Sequence, residues 1–440
     1  GRGLFWTPVG VTSGIIPSGS RSQSSREKEL SFLKGNRFFY GWVVVVAFLL
    51  IGTTLFGIRL TFGVFFKSIE SQFSLTRTFT SAILSANLTL GGACAILGGW
   101  ALDRFGPKII LFLMAIFTVL SLFLTGQTTA PWQLFFTYSV LLALGTGPAY
   151  VAVMSTVSRW FDKKRGLALG IASSGNGLGT MVMAILAAYL IANFDWRTAY
   201  MVIGILALAV VMPLSQLLKR DPREAGTLPD GVKAAATNSP NDVAPSSTIS
   251  LTLPQALRTR SFWLVLFLFI LFASSFYLVL THVVPHATDK GIDPVKAASI
   301  LSLMGATNIA GRVVMGTVSD RIGRKFTTVI CTLLQAGTLL WLMWSQSLWM
   351  FYLYALVYGF AFGGSEPILA ALIGDTFGVG KLGAILGVLD AAWGVGAAIG
   401  PLIGGYVFDV TDGYFVAFLY GALAMTVVSL LIILIRRETS

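Results

Sequence analysis

Asn308 and Arg312 stand four residues apart in the stretch ATNIAGRVVMGTVSDRIGRK, residues 306–325. On a helix that spacing puts an amide and a guanidinium on one face. Arg312 lies eight residues before Asp320, about 12 Å of helix, in an apolar run. A guanidinium at that depth in hydrocarbon costs roughly 2.5–3.5 kcal/mol on insertion scales. Its planar fork matches a carboxylate. Two chemistries would offset the cost: capture of an anionic substrate, or an ion pair with Glu366 or Asp390. Those two acids interrupt later apolar runs and are also the candidates for carrying a proton, a task that needs a raised pKa. Glu366 precedes Pro367, whose missing donor should bend its helix.

These residues need long apolar elements to hold them. The chain of 440 residues is 55% hydrophobic and 11% charged, where a soluble chain carries about 25% charged residues. Apolar runs of about 20 residues recur, each long enough to cross a bilayer. The reading is an all-α polytopic membrane protein with twelve helices near 40–66, 76–102, 107–127, 131–159, 165–192, 197–218, 261–284, 294–318, 326–345, 348–375, 381–408 and 413–435. The net charge of +12 reports topology, not nucleic acid. Of 31 Lys/Arg, only five (Lys67, Arg77, Arg197, Lys290, Lys296) fall on one set of connecting segments. Arg59 and Arg312 lie within helices, and the rest fall on the other side. That bias places both termini in the cytoplasm. Arg59 is expected near the outer face, where it snorkels, pairs locally or attracts anions.

A repeat organises the chain. GGWALDRFGPK ends the second helix and MGTVSDRIGRK the eighth, supplying Gly99, Asp103, Arg104 and again Gly316, Asp320, Arg321. Asp103 and Asp320 are offset by 217 residues, as are Gly166 and Gly383 in GLALG and GAILG. Two motifs at one offset imply two parallel six-helix repeats, residues 37–218 and 261–440. Residues 1–36 read as disordered, and 219–260 as a cytoplasmic linker. Within it Thr252, Pro254 and Gln255 signal a short interfacial helix. The repeat partner of Arg312 is Ala95, so this charge is not needed merely to build a half.

The doubled G-x-x-x-D-R-x-G-x-K pattern resembles the signature of the major facilitator superfamily, where it implies a cytoplasmic latch that opens as the halves rock. RWFDKKRGLALGIASSGNGLG, residues 159–179, resembles the signature of the monocarboxylate transporter family, proton-linked carriers of lactate and pyruvate. It matches at Trp160, Phe161, Lys163, Lys164, Leu167, Ala168, Gly170, Ala172 and Gly175. YGWVVV and FFKSIE near the first helix are similar to that family too, and the resemblance spans roughly residues 38–436. The bacterial oxalate/formate exchangers share much of it. By residue type alone, the glycines of this motif serve close helix packing.

The resemblance implies a carboxylate held by Arg312. The family's acid one turn away is Asn308 here, and its first-helix lysine falls on Leu60. A second cation of the oxalate exchangers falls on Trp393. The first, fourth, seventh and tenth helices line the cavity in facilitators. That implies Leu60, Tyr150, Ser274, Ser275, Phe276, Tyr358, Phe362 and Ser365 as wall candidates. The expected function is secondary transport of small monocarboxylates (L-lactate, pyruvate) by alternating access with proton coupling, in a plasma membrane of the bacterial inner-membrane type. The alternatives are an oxalate/formate type anion exchanger and a non-transporting carboxylate receptor. The expected partners are the substrate, a proton and the bilayer, with a monomer as the working unit. No cofactor, metal or nucleic acid is expected. Cys94 and Cys331 sit mid-helix, His282 and His286 read as interfacial, and no nucleophile–base pattern of an enzyme is visible.

Overall fold

The computed structural model describes residues 39–161, 164–225, 227–231, 253–377 and 382–435. The expected disordered segment 1–36 and most of the linker, with Thr252, lie outside the described residues. Twelve helices are long and apolar enough to cross a membrane. They are α1 (Gly41–Phe73), α2 (Arg77–Leu102), α3 (Pro107–Gly126), α4 (Pro131–Trp160), α5 (Arg165–Asn193) and α6 (Trp196–Leu217). The second set is α7 (Arg260–Asp289), α8 (Pro294–Ser319), α9 (Arg324–Met343), α10 (Leu348–Phe377), α11 (Ile385–Thr411) and α12 (Phe415–Leu434). No strand occurs among the described residues. The architecture is the expected one: all-α and polytopic, with two six-helix repeats.

Local signals explain the helix ends. Thr76 caps α2, its hydroxyl accepting from Phe79 N at 3.2 Å. Asp195 does the same for α6 from Thr198 N at 2.5 Å, and Asp293 for α8 from Val295 N at 3.0 Å. These short polar caps satisfy backbone donors that a helix start leaves unpaired. Gly106 and Gly323 end α2 and α8 at equivalent repeat positions with φ of +82° and +94°, a backbone that glycine adopts without strain. In the linker a single helical turn, Leu253–Ala256, is present. Thr259 caps the membrane helix that follows, accepting from Phe262 N at 3.2 Å.

α1 runs further than its apolar stretch suggests. It pauses at Thr61, whose hydroxyl bonds to Gly57 O at 2.8 Å, and continues as Phe62–Phe73. The continuation is amphipathic and buries Phe62, Phe65, Phe66 and Ile69, so packing rather than hydropathy sustains it. As a result Arg59 sits near the middle of α1, not at its outer end.

The two ends of the bundle differ. At the end opposite the repeated motifs, α2 meets α7, α11 and α12. A Cβ on Gly405 there would strike Arg77 O at 2.5 Å, so the backbones of α2 and α11 touch. At the end that carries the motifs, a Cβ added to Gly170, Gly316, Gly387 or Gly394 would meet nothing within 4 Å. The helices of the two repeats are closed together at the Arg77 end.

Candidate functional site

Glycines bring α8 and α10 together. A Cβ on Gly363 would meet Asn308 Cα at 2.7 Å, and one on Gly311 would meet Phe360 Cα at 3.0 Å. Such small residues let backbones approach closely in a membrane. From the Asn308–Gly363 contact, one turn toward the motif end brings each helix to a charged residue: Arg312 on α8 and Glu366 on α10. They form an ion pair through Arg312 Nη2 and Glu366 Oε2. Asn308 Oδ1 accepts from Arg312 Nε at 3.1 Å. Nη1 reaches Ser173 Oγ of α5, in the other repeat, at 3.3 Å. The side chains remain 12% and 29% exposed. Of the two acids weighed as partners, Glu366 takes the guanidinium. Asp390, on α11, is exposed and lies within electrostatic reach of Arg59.

Directly above this pair is a small cavity of about 30 Å³, lined by Asn176, Gly177 and Thr180 of α5, Phe276 and Leu280 of α7, Met304, Gly305 and Asn308 of α8, and Tyr358, Gly359 and Phe362 of α10. It lies where the repeats cross. Cβ atoms on Gly177 and Gly305 would strike each other's carbonyl oxygens at 2.9 and 2.5 Å. Phe276 and Phe362 stack with ring centroids 3.9 Å apart, making an aromatic wall that Phe272 extends.

The sequence-derived candidates separate into two groups. Arg312, Asn308, Tyr358, Phe362 and Phe276 converge on the cavity or its mouth. Leu60 is buried in the same apolar cluster as Tyr358 and Phe362. Tyr150 is 48% exposed and within electrostatic reach of Arg312, Glu366 and Asp390. Ser365, by contrast, turns away: its hydroxyl accepts from Gln335 Nε2 of α9 at 3.2 Å. Ser274 and Ser275 likewise face α12, bonding to the Tyr420 hydroxyl at 2.8 Å and Gly421 O at 3.3 Å.

At the motif helix ends, a Cβ on Gly99 would lie 3.4 Å from Val151, while one on Gly316 would face open space. Arg104 lies over Trp100 of its own helix, and Arg321 is exposed. The side chains of Asp103 and Asp320 lie outside the described part. The histidines are interior rather than interfacial. His282 is fully buried, with Pro401 O 2.9 Å and the Tyr414 hydroxyl 3.1 Å from its ring nitrogens. No group of three metal-ligating side chains occurs among the described residues.

Two features escaped the sequence. Ser173, Asn176 and Thr180 form the α5 side of the site, signalled only as polar residues among the glycines of ASSGNGLGT. A network also joins the repeats at the Arg77 end. Arg77 Nη1 and Nη2 donate to the two carboxylate oxygens of Asp289 at 2.6 and 3.0 Å, and Nε to Glu70 at 3.2 Å. Nη1 also reaches the Tyr414 hydroxyl at 2.6 Å. The guanidinium carbon lies 3.5 Å over the Phe408 ring, and Lys67 pairs with Asp289. Asp409 of α11 accepts from the Arg77 and Thr78 backbone N–H groups at 3.0 and 2.8 Å, a carboxylate at a helix N-terminus.

A twelve-helix, two-repeat bundle with a charged pair at the crossing is a transporter's architecture, and comparison with known proteins agrees. The model of the Major Facilitator Superfamily matches residues 47–336 and 283–440. The chain belongs to this superfamily. Among similar proteins, monocarboxylate transporter 13 of Bos taurus is 26% identical over 395 residues, covering 86% of this chain and 85% of that protein. Monocarboxylate transporter 12 of Homo sapiens is 25% identical over 458 residues, covering 98% and 88%. The chain is thus a facilitator-superfamily secondary transporter related to the monocarboxylate transporters. A solved bacterial homolog of the human lysosomal transporter Spinster, in an inward-facing and unoccupied conformation, superposes with a TM-score of 0.65 at 17% identity. It covers 91% of this chain and 96% of that one, a likeness of fold.

Proposed function

We propose that this transporter carries small monocarboxylates such as L-lactate and pyruvate by alternating access, in symport with protons. The observation that carries the reading is the Arg312–Glu366 pair beside the cavity. A substrate carboxylate presents the same two oxygens that Glu366 presents, so the two compete for one guanidinium fork. Ionised Glu366 keeps Arg312 occupied. A proton on Glu366 removes its charge and releases Nη2 to the substrate. Proton and anion then enter as a neutral sum, which spares the halves from moving a net charge across hydrocarbon. Asn308 fixes Nε, so Nη1 and Nη2 are left to face α5 and the cavity mouth.

The cavity above has room for one or two waters, about the size of a methyl group. It suits the tail of a two- or three-carbon acid and excludes longer chains. Tyr358 and Phe362 set that limit, Leu60 backs them in the same apolar cluster, and Tyr150 offers its hydroxyl from the open side. The distribution of Lys and Arg supports a cytoplasmic motif end, with both termini cytoplasmic and the chain in a plasma membrane of the bacterial type, and closure at the Arg77 end fits an inward-facing conformation. The repeated motifs Gly99–Arg104 and Gly316–Arg321 act as the cytoplasmic latch of the outward-open state. The test is uptake of labelled lactate into liposomes under a pH gradient. Wild type accumulates lactate, whereas well-folded Arg312→Ala and Arg312→Lys do not. Uptake by either at the wild-type rate would overturn the proposal.

A further inference from the structure

The Arg77 network continues past Arg77 to a buried imidazole. Arg77 Nη1 donates to the Tyr414 hydroxyl at 2.6 Å, and that hydroxyl lies 3.1 Å from His282 Nδ1. On the far side of the ring, Nε2 stands 2.9 Å from Pro401 O of α11 and 3.3 Å from Ser81 Oγ of α2. His282 is fully buried. Phe66 of α1 packs against it, with ring centroids 5.3 Å apart. Gly404 of α11 gives the ring its place, because a Cβ there would come within 2.5 Å of Nε2. One imidazole of α7 thus meets α1, α2, α11 and the residue that precedes α12.

The partners assign the tautomer. A carbonyl oxygen only accepts, so Nε2 carries the hydrogen and donates to Pro401 O. Nδ1 then holds a lone pair and accepts from the Tyr414 O–H. The Tyr414 oxygen is left to accept from Arg77. Guanidinium, phenol, imidazole and carbonyl form one directed chain across both repeats, in which each bond polarises the next. A proton on Nδ1 reverses a link. Both ring nitrogens become donors, two donors face one phenol oxygen, and the Tyr414 O–H loses its acceptor. A second cation also comes to stand beside Arg77, and like charges this close repel.

The surrounding charges leave that cation uncompensated. Among the described residues no carboxylate bonds to the ring. Asp289 is engaged by Arg77 and Lys67, Glu70 by Arg77, and Asp409 by the backbone at the start of α2. Lys290, next to Asp289 at the end of α7, adds a further positive charge. The other titratable group is His286, one turn along α7, whose ring centroid is 5.6 Å from that of Tyr414.

We propose that His282 is a second proton-binding site, distinct from Glu366, and that a proton there releases the closure at the Arg77 end. The neutral ring rivets the two repeats, and the imidazolium undoes the rivet. With this end outward, an acid exterior favours the outward-open form, the one that takes up a proton and an anion together. The inference rests on the alternating-access reading above and is independent of which acid is carried.

The test is a spin-label distance between Phe79→Cys of α2 and Val410→Cys of α11, both exposed. It is measured on the full chain in nanodiscs with Cys94→Ser and Cys331→Ser, from about pH 8 to about pH 5, where histidine titrates. The share of the long-distance form is expected to rise about tenfold as pH falls, an ordinary coupling between a ligand and a conformation. His282→Gln keeps a donor for Pro401 O without ionising and should stay closed throughout. Tyr414→Phe should be more open at the high end and respond less. His286→Gln and Glu366→Gln should keep the full response. A wild-type response in a folded His282→Gln protein, or loss of the response in His286→Gln or Glu366→Gln, would overturn the inference. If His282→Gln does not fold, Tyr414→Phe decides, and a closed start with a full tenfold rise would overturn it. No opening at any pH in a chain that still accumulates lactate would overturn this inference alone. No opening and no accumulation would overturn the transport reading beneath it as well.

Discussion

Arg77 and Arg312 both hold a carboxylate, in opposite kinds of company. Arg77 has two carboxylates, a phenol hydroxyl and an aromatic face, and most of them come from the other repeat. Arg312 has one carboxylate from its own repeat, one amide, and a long contact to a serine across the crossing. The first arrangement is over-determined and joins α2 to α7, α11 and α12. The second can be exchanged, because removing one partner leaves a fork that a ligand can fill. On the function proposed above, abundance of partners marks a lock, and scarcity marks a binding group.

The sharpest way to break this contrast is to truncate both arginines. Arg312→Ala should lower lactate uptake by about 100-fold or more, since losing one partner of a buried charged contact costs roughly 2–5 kcal/mol. Arg77→Ala should leave lactate affinity in the open state within a few-fold of wild type. It should instead loosen the closed end by about 3 kcal/mol, read as longer spin-label distances between α2 and α11. Equal loss of affinity in both variants would erase the distinction. Glu366→Gln tests exchangeability itself. An amide cannot release a proton, so lactate counterflow should persist while accumulation driven by a pH gradient disappears.

A milder test concerns the crossing. Gly177→Ala places a methyl against Gly305 O and should cost about 1–3 kcal/mol of overpacking, slowing uptake. Gly170→Ala, on the same helix in open space, should be silent. The smallest effect belongs to Asp195, the cap of α6. Backbone and side-chain hydrogen bonds from Thr198 hold its carboxyl below the usual carboxylate range. Its capping contribution is therefore complete above the ordinary carboxylate pKa and is lost as pH falls through the lowered value. Asp195→Ala should cost about 0.5–1 kcal/mol, seen in thermal melts at neutral pH and vanishing in strong acid.

Much of the fold was legible because hydrocarbon imposes length and polarity on every spanning segment. The helix count, the repeat offset and the depth of Arg312 follow from that constraint. So does the short list of acids from which Glu366 emerged as its partner. What hydropathy does not encode is rotation about each helix axis. Ser365 shares α10 with Phe362 and Glu366, yet it points at α9. Nor does hydropathy encode where an amphipathic helix stops, so Phe62–Phe73 was cut short and Arg59 set too far out. The Arg77 network was invisible for a third reason. Asp289 and Tyr414 lie more than 200 residues away along the chain, joined to Arg77 only by the closure of one repeat on the other.

The crossing of Gly177 and Gly305 has a mechanical meaning. Backbones in contact at one point cannot slide freely, but they can turn, so the contact acts as a fulcrum with the helices as its arms. From Gly305 to Gly316 the arm is about 16 Å long. A rotation of about 15°, of the size seen in rigid-body switching, would sweep its tip through about 4 Å. That is wider than a water molecule, while the fulcrum itself stays put against the cavity. Under the proposed symport, the smallest residues in the molecule would thus provide the leverage that turns a proton's arrival into an opened path.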